Sequence, residues 1–460
     1  MIRALTETPW FIMASAWRKL GVVIALAGST LMFSGIAAAG EVGPHRFDFG
    51  LGAVAPGYVQ VLPSTVFSEK TGYGFEPGMA VSGVDRGGDP LRGDFITSDR
   101  PFFFSVRVPA EGNYRVTVIL GDALGETTTT IKAELRRLMV EKVHTKPGEF
   151  ATVSFIVNTR TPVIAATGEI PAGQVKLKAP RESIQEGWAW DDRITLEFSN
   201  ARPAVCAVEV ARAELPTIFL LGDSTVCDQS REPYASWGQM LPRFFKPTVA
   251  IANHGESGET YRDSIGRRRL DKILSVMKPG DYLIMQFGHN DQKQIAAGTG
   301  GPFTTYKAEI RQHVDAVRGR GGIPVIVSPM ERREFAENGR IKPTLADYAE
   351  AARQAAKELR VAFIDLNAMS VPFYEALGPE KSKLAFARPA PDKVDNTHHD
   401  NYGAYELAKC IVQGIRDNKL DLAQFIVDDF TGFDPAHPDP VESFSLPASP
   451  GRMTQAPRGN

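Results

Sequence analysis

Five apolar runs punctuate the second half of this chain: Ile218–Leu221, Val249–Ala252, Tyr282–Phe287, Ile323–Ser328 and Val361–Leu366. Helical patterns lie between them, for example Tyr306–Arg318 and Leu345–Leu359, and Gly319 to Gly322 is a suitable helix end. Short runs this rich in apolar residues suit strands covered on both faces. Strand–helix alternation therefore demands a mainly parallel sheet with helices on both sides. A doubly wound, flavodoxin-like order, 2-1-3-4-5, would bring the loops after the first and third strands to the point where the winding reverses. Open α/β sheets gather their ligands there. Those loops carry Gly222-Asp223-Ser224 and Gly288-His289-Asn290-Asp291, and a helix is expected straight after the first.

Upstream, from Val42 to about Arg212, the texture is different. Phe103-Phe104-Ser105-Val106-Arg107-Val108 alternates apolar and polar, as does Tyr114 to Leu120, with a turn at Glu111-Gly112-Asn113 between them. Phe150–Val157 and Ile194–Phe198 read the same way. Closely spaced turn residues predict an all-β sandwich. Thr130–Val143 is compatible with helix or strand. The division expected is a leader over residues 1–39, a sandwich over 40–212, an α/β domain over 213–433 and a Pro-rich tail over 434–460, packed loosely or disordered near its end.

The loops of the α/β half hold the parts that acyl transfer to water needs. Ser224 is a hydroxyl nucleophile, weak unless a base takes its proton. His398 can be that base, and Asp395, three residues earlier, can accept the other ring N–H. Gly258 and Asn290 can offer a backbone and a side-chain donor to an oxyanion beside the N–H of Ser224, each donor lowering the barrier by roughly 3–4 kcal/mol. Asp223, Asp228 and Asp291 could suggest a metal, but no ordered oxygen-ligand series appears and neither metal nor cofactor is expected. Ser224 could instead merely cap a helix.

The order Ser, Gly, Asn, Asp-x-x-His resembles the SGNH hydrolases, also called the GDSL family. The strings Gly-Asp-Ser-Thr-Val at 222–226, Trp237-Gly238-Gln239, Ser257-Gly258-Glu259-Thr260 and Gln286-Phe287-Gly288-His289-Asn290-Asp291 resemble rhamnogalacturonan acetylesterases in particular. The resemblance covers about Pro216 to Phe433. It implies Ser224 as nucleophile, Asp395 and His398 as its partners, and Ser224, Gly258 and Asn290 as the oxyanion hole. It selects His398 over His399 as the base and gives His289 a supporting role. Phe47-Asp48-Phe49-Gly50 and Tyr73-Gly74-Phe75 make the first domain similar to galactose-binding-like jelly rolls. The expected substrate is an acetylated plant cell-wall polysaccharide or oligosaccharide, with Tyr234, Trp237, His254, Tyr261 and Arg262 lining the cleft. Tyr73, Phe75, Trp188 and Trp190 are candidates to stack on sugar in the sandwich. If they do, a chain without the sandwich should keep most activity on a small ester. A lipid or thioester hydrolase would need an apolar groove instead, and a non-catalytic carbohydrate-binding protein would have no use for the complete set of reactive residues.

A formal charge of −2 supplies no basic footprint for nucleic acid. Arg18-Lys19 precede an apolar run, Leu20 to Ile36, and Ala37-Ala38-Ala39 follows as a small-residue cleavage site. A secretory signal is expected, with a secreted or periplasmic product of charge about −4 and no stable membrane span after cleavage; an uncleaved anchor is the alternative. Three cysteines, Cys206, Cys227 and Cys410, would then permit one disulfide.

Overall fold

The computed structural model describes residues 45–293, 298, 300–451 and 453; the expected leader lies outside them. Among the described residues no helix is long and apolar enough to cross a membrane.

The first domain is a sandwich of a seven-stranded and a five-stranded sheet. Strands Gly112–Gly121, Ala204–Arg212 and His45–Phe49 lie centrally in one, with Phe150–Thr159 at its edge, and Phe102–Arg107, Arg193–Arg202 and Thr127–Ala133 lie centrally in the other. The alternating residues of both sheets meet in a phenylalanine-rich core that includes Phe47, Phe49, Phe75, Phe102, Phe104 and Phe198. Ring pairs such as Phe49–Phe104, with centroids 4.8 Å apart and tilted by 65°, take the edge-to-face arrangement that aromatic quadrupoles favour. The ambiguous 130–143 segment is a hairpin. Thr127–Ala133 pairs antiparallel with Arg137–Thr145 across Glu134-Leu135-Arg136, where Glu134 and Arg136 take positive φ of 56° and 63°.

The second domain is built on five parallel strands: β1 (Thr217–Gly222), β2 (Ala250–Asn253), β3 (Tyr282–Gln286), β4 (Ile323–Val327) and β5 (Ala362–Ile364), in the order β2-β1-β3-β4-β5. Side-chain alternation along β1 explains the double winding. Ile218 and Leu220 join a core that includes Ile411 and Ile415 of the helix Asn401–Asp417. Phe219 and Leu221 face the opposite way, into a core shared with the helices Arg269–Val276, Lys307–Gly319 and Ala346–Leu359. The expected helix after Ser224 is a single turn, closed by bonds from the amides of Val226 and Cys227 to the Asp223 carbonyl. The chain then runs irregularly until Trp237–Met240.

The two domains form one compact unit. Leu138, from the sandwich hairpin, is buried in the α/β core beside Trp237 and Leu241. The tail differs from the loose packing expected of it. Phe444 stacks near Tyr402 and Tyr405, and Ser449 is buried where its hydroxyl donates to Glu197 of the sandwich at 2.7 Å. All three cysteines are free and buried, and each belongs to a different part of the core, so no disulfide forms. Burial raises the pKa of each thiol.

Candidate active site

Gly222 ends β1 where a side chain cannot fit: a Cβ there would stand 2.5 Å from the Gln286 carbonyl oxygen. This close approach turns the chain and leaves Ser224 at the carboxyl end of the sheet. A line of buried hydrogen bonds holds the turn. The Trp237 indole donates to Gln286 Oε1 at 2.7 Å, Gln286 Nε2 donates to Thr225 Oγ1 at 2.8 Å, and Thr225 Oγ1 donates to Asp223 Oδ1 at 2.8 Å. Asp223 Oδ2 lies 3.4 Å from His289 Nδ1. Burial acts to raise the Asp223 pKa, but the imidazole of His289 and the Thr225 bonds outweigh it and hold the pKa down. Asp223 and His289 thus brace the two loops against each other.

Ser224 Oγ lies 2.8 Å from His398 Nε2, and His398 Nδ1 lies 3.0 Å from Asp395 Oδ2. The other carboxylate oxygen accepts the backbone N–H groups of Thr397 and His398 at 2.7 and 2.8 Å. Burial raises the Asp395 pKa, yet these hydrogen bonds prevail and leave it at about 2, so the group is an anion at any working pH. Hydroxyl, imidazole and carboxylate in series can carry a proton from Ser224 to His398 while Asp395 stabilises the resulting cation. His399 points elsewhere. It is buried beside Phe386, its Nε2 is 2.9 Å from the Tyr374 hydroxyl, and burial lowers its pKa to about 3.

Gly258 has φ +75°, a left-handed conformation that side chains disfavour. Asn290 Nδ2 donates to the Glu259 carbonyl at 3.1 Å, which sets its amide beside the Gly258 turn. That bond uses one of two amide hydrogens and leaves the other for a ligand.

Of the five residues expected to line the cleft, four are buried and the fifth, Arg262, lies at the surface. Trp237 and Tyr261 are fully buried, the latter packed between Phe287 and Tyr306. His254 is buried edge-on to Trp190, and Arg262 is a surface residue paired with Glu309. Tyr234 is fully buried as well, but its ring lies edge-on to His398 with centroids 5.8 Å apart. In the sandwich, Phe75 and Trp190 are core residues, whereas Trp188 is half-buried against Phe103. The three aspartates once considered together do not converge. Asp228 pairs with Arg137 at 3.0 Å, and Asp291 accepts the Tyr261 amide at 3.2 Å.

Sequence reasoning missed a group of residues supplied by the sandwich. Arg136, at the hairpin turn, donates to the carbonyls of Gln229 and Tyr234 at 3.1 and 2.8 Å. Gln229 in turn donates to the Ser224 carbonyl at 2.7 Å. Lys178 donates to the Ser257 carbonyl, and Arg181 donates to the Ser257 hydroxyl at 2.8 Å, one residue before Gly258. Beneath them Arg269, fully buried, bridges Glu182 of the sandwich at 2.5 Å and Glu259 of the oxyanion loop at 2.9 Å. These contacts span roughly 75 to 100 residues of sequence and follow no local pattern.

Comparison with known proteins agrees with this architecture. Residues 220–392 match the GDSL-like lipase/acylhydrolase family, and residues 45–145 match the galactose-binding domain-like region of the beta-agarase/YXIM esterase-like proteins. Over 220 residues the chain is 40% identical to the rhamnogalacturonan acetylesterase RhgT of Bacillus subtilis, covering 46% of this chain and 94% of that protein. It is 33% identical to the probable rhamnogalacturonan acetylesterase YesY of the same organism, over 46% of this chain and 97% of YesY. The esterase YxiM, also from Bacillus subtilis, is 27% identical over 84% of this chain and 94% of its own length. The chain belongs to the GDSL-like lipase/acylhydrolase family. It is a carboxylic-ester hydrolase with a galactose-binding-like domain at its amino-terminal side.

Proposed function

We propose that this protein removes acetyl groups from an acetylated plant cell-wall carbohydrate, the rhamnogalacturonan of pectin, after export through a cleaved leader over residues 1–39. The observation that carries the reading is the series Ser224 Oγ–His398 Nε2–Asp395, with separations of 2.8 and 3.0 Å, at the carboxyl edge of the sheet. The relatives named above support acetylated rhamnogalacturonan as the substrate class.

Ser224 Oγ attacks the acetyl carbonyl carbon as its proton passes to His398 Nε2. The carbonyl oxygen becomes an oxyanion, held by the N–H groups of Ser224 and Gly258 and the free amide hydrogen of Asn290. Collapse breaks the bond to the sugar oxygen, which takes the proton from His398. Water then enters, gives a proton to His398, and attacks the acetyl-serine; acetate leaves and Ser224 recovers its proton. Each step balances without a metal or cofactor.

The test is acetate release from acetylated rhamnogalacturonan, xylan and glucomannan by wild type and Ser224→Ala. The variant should lose about 10⁴-fold or more in kcat while remaining folded. Activity within tenfold of wild type would overturn the serine mechanism, and preference for xylan or glucomannan would overturn the substrate. Export is checked by amino-terminal sequencing of the periplasmic or secreted protein, which should begin near Gly40.

A further inference from the structure

Among the described residues, three cations beside the catalytic loops form no ion pair. Lys293 is exposed three residues beyond Asn290, and its Nζ lies 3.4 Å from Asn290 Oδ1. Arg332 follows the end of β4; it donates to Gln292 Oε1 at 2.9 Å and to the His289 carbonyl at 3.3 Å, both on the Asn290 loop. Arg333 lies on the other side, donating to Asn396 Oδ1 at 2.7 Å next to Asp395. Among the described residues none of the three has a carboxylate within ion-pair distance, although most cations of the domain seam do. Asp223, Glu334 and Glu331 act on Arg332 electrostatically, and Glu380 and Asp395 on Arg333, but all stand beyond that distance. Glu331 is occupied by the backbone and hydroxyl of Thr344 and the amide of Leu345.

An arc of unpaired, partly buried like charges is unfavourable in the free protein, because each raises the cost of ionising the next. Lys293 responds accordingly: partial desolvation and the nearby Arg332 depress its pKa more than Asp223 raises it. Such an arrangement suits a site whose compensating charge arrives with the ligand. Its position also limits the ligand. The acetyl oxygen must sit beside Asn290, so the sugar bearing it, or the sugar next along, passes within reach of Lys293 and Arg332. Guanidinium and ammonium groups both bind carboxylates, the former in a planar fork.

We propose that Lys293 and Arg332 form an anion-binding subsite at the rim of the oxyanion hole that receives the carboxylate of a uronic acid residue in the polymer, with Arg333 extending it on the Asp395 side. This rests on the carbohydrate acetylesterase reading above and adds what selects the chain to be deacetylated: charge on the backbone sugar. A neutral acetylated glycan leaves the subsite empty.

The experiment compares acetylated rhamnogalacturonan oligosaccharides with the same oligosaccharides after chemical reduction of their uronate carboxyls to alcohols. In wild type the charged substrate should have a kcat/KM about tenfold or more above the reduced one, equivalent to about 1.4 kcal/mol. The ratio should shrink as salt rises, since exposed charge pairs are screened. In Lys293→Gln with Arg332→Gln it should fall to within about twofold of unity, and Arg332→Lys should restore part of it. A wild-type ratio near one, a ratio indifferent to salt, or a ratio that survives in the double variant would overturn the subsite. If wild type releases acetate from neither oligosaccharide, the acetylesterase reading itself fails. Equal release from both leaves that reading standing and removes the subsite alone.

Discussion

The two sides of the catalytic centre are held by different means. The base side, Asp395-Asn396-Thr397-His398, is braced by its own loop and by the α/β domain: Asp395 receives amides two and three residues away, and the Ala387 amide donates to the His398 carbonyl. The nucleophile and oxyanion side, 224–235 and 255–260, is clamped from the sandwich by Arg136, Lys178 and Arg181. Local bonds along a loop make one half self-sufficient. Buried ion pairs across a seam make the other half depend on a second domain.

The largest expected effect distinguishes the histidines of the self-sufficient half. His398→Ala should reduce kcat on a chromogenic acetate ester by about 10³-fold or more. His399→Ala should leave the folded enzyme active but lower its stability by about 2–4 kcal/mol, as truncation of a buried ring does. The reverse ranking in paired kinetic and denaturation measurements would mean the base side is misread.

Removal of the sandwich comes next. If the sandwich only engages sugar, a folded chain without it keeps small-ester activity; the seam contacts favour the alternative, a structural role. Without Arg136, Lys178 and Arg181, the loops around Ser224 and Gly258 lose their clamp, and Glu259 loses Lys178 from its surroundings. A chain beginning at Ala213 should be insoluble, or should lose about a hundredfold in kcat even on a small acetate ester. Near-native small-ester kinetics from a soluble product would break the comparison.

Single seam residues sharpen it. Arg269→Met strips the counter-charge from two buried carboxylates and should destabilise by about 3–5 kcal/mol, read by urea unfolding. Lys178→Met should reduce kcat several-fold with KM nearly unchanged, since Ser257 lies one residue from the oxyanion donor. A change confined to KM would assign Lys178 to substrate binding instead.

The smallest effect is on stability against pH. His399 and His313 are buried neutral, with pKa values lowered to about 3 and about 4. Once unfolded, each takes up a proton near ~6.5. Their contribution is complete above that value and declines as pH falls toward the folded values, by about 2 kcal/mol each at pH 5. Asp395 adds a separate loss below about pH 4, as acid approaches its folded value of about 2. Chemical unfolding at pH 7.5 and 5 should register the histidine part, and His399→Gln should remove about half of it. An unchanged pH dependence in that variant would place His399 outside the titration.

Much of the α/β domain was legible in advance because its signals are short-range. Apolar runs such as Tyr282–Phe287 can only be strands covered on both faces, and the strand-end loops follow at once. Ser224, Gly258 and Asn290 sit on such loops, whereas Asp395 and His398 share a later loop that leads into the helix Asn401–Asp417. The irregular 228–236 segment was not legible, because nothing local tells a helix from a loop held by Arg136. The 130–143 hairpin needed two residues at positive φ that neither Glu134 nor Arg136 advertises. Trp237 and Tyr261, polar-tipped aromatics near the motifs, read equally well as cleft or core until packing decided for core.

What the sequence by itself determined is the alternation that makes a doubly wound sheet and the strand-end positions of Ser224, Gly258 and Asn290, since both follow from periodicity within a few residues. Only the tertiary structure decided which buried charge meets which: Arg269 with Glu182 and Glu259, Arg136 with the Gln229 and Tyr234 carbonyls. It also left Lys293, Arg332 and Arg333 unpaired among the described residues. The physical reason is that a charge selects its partner by distance in space and by the water removed around it, and neither is written in the order of the chain.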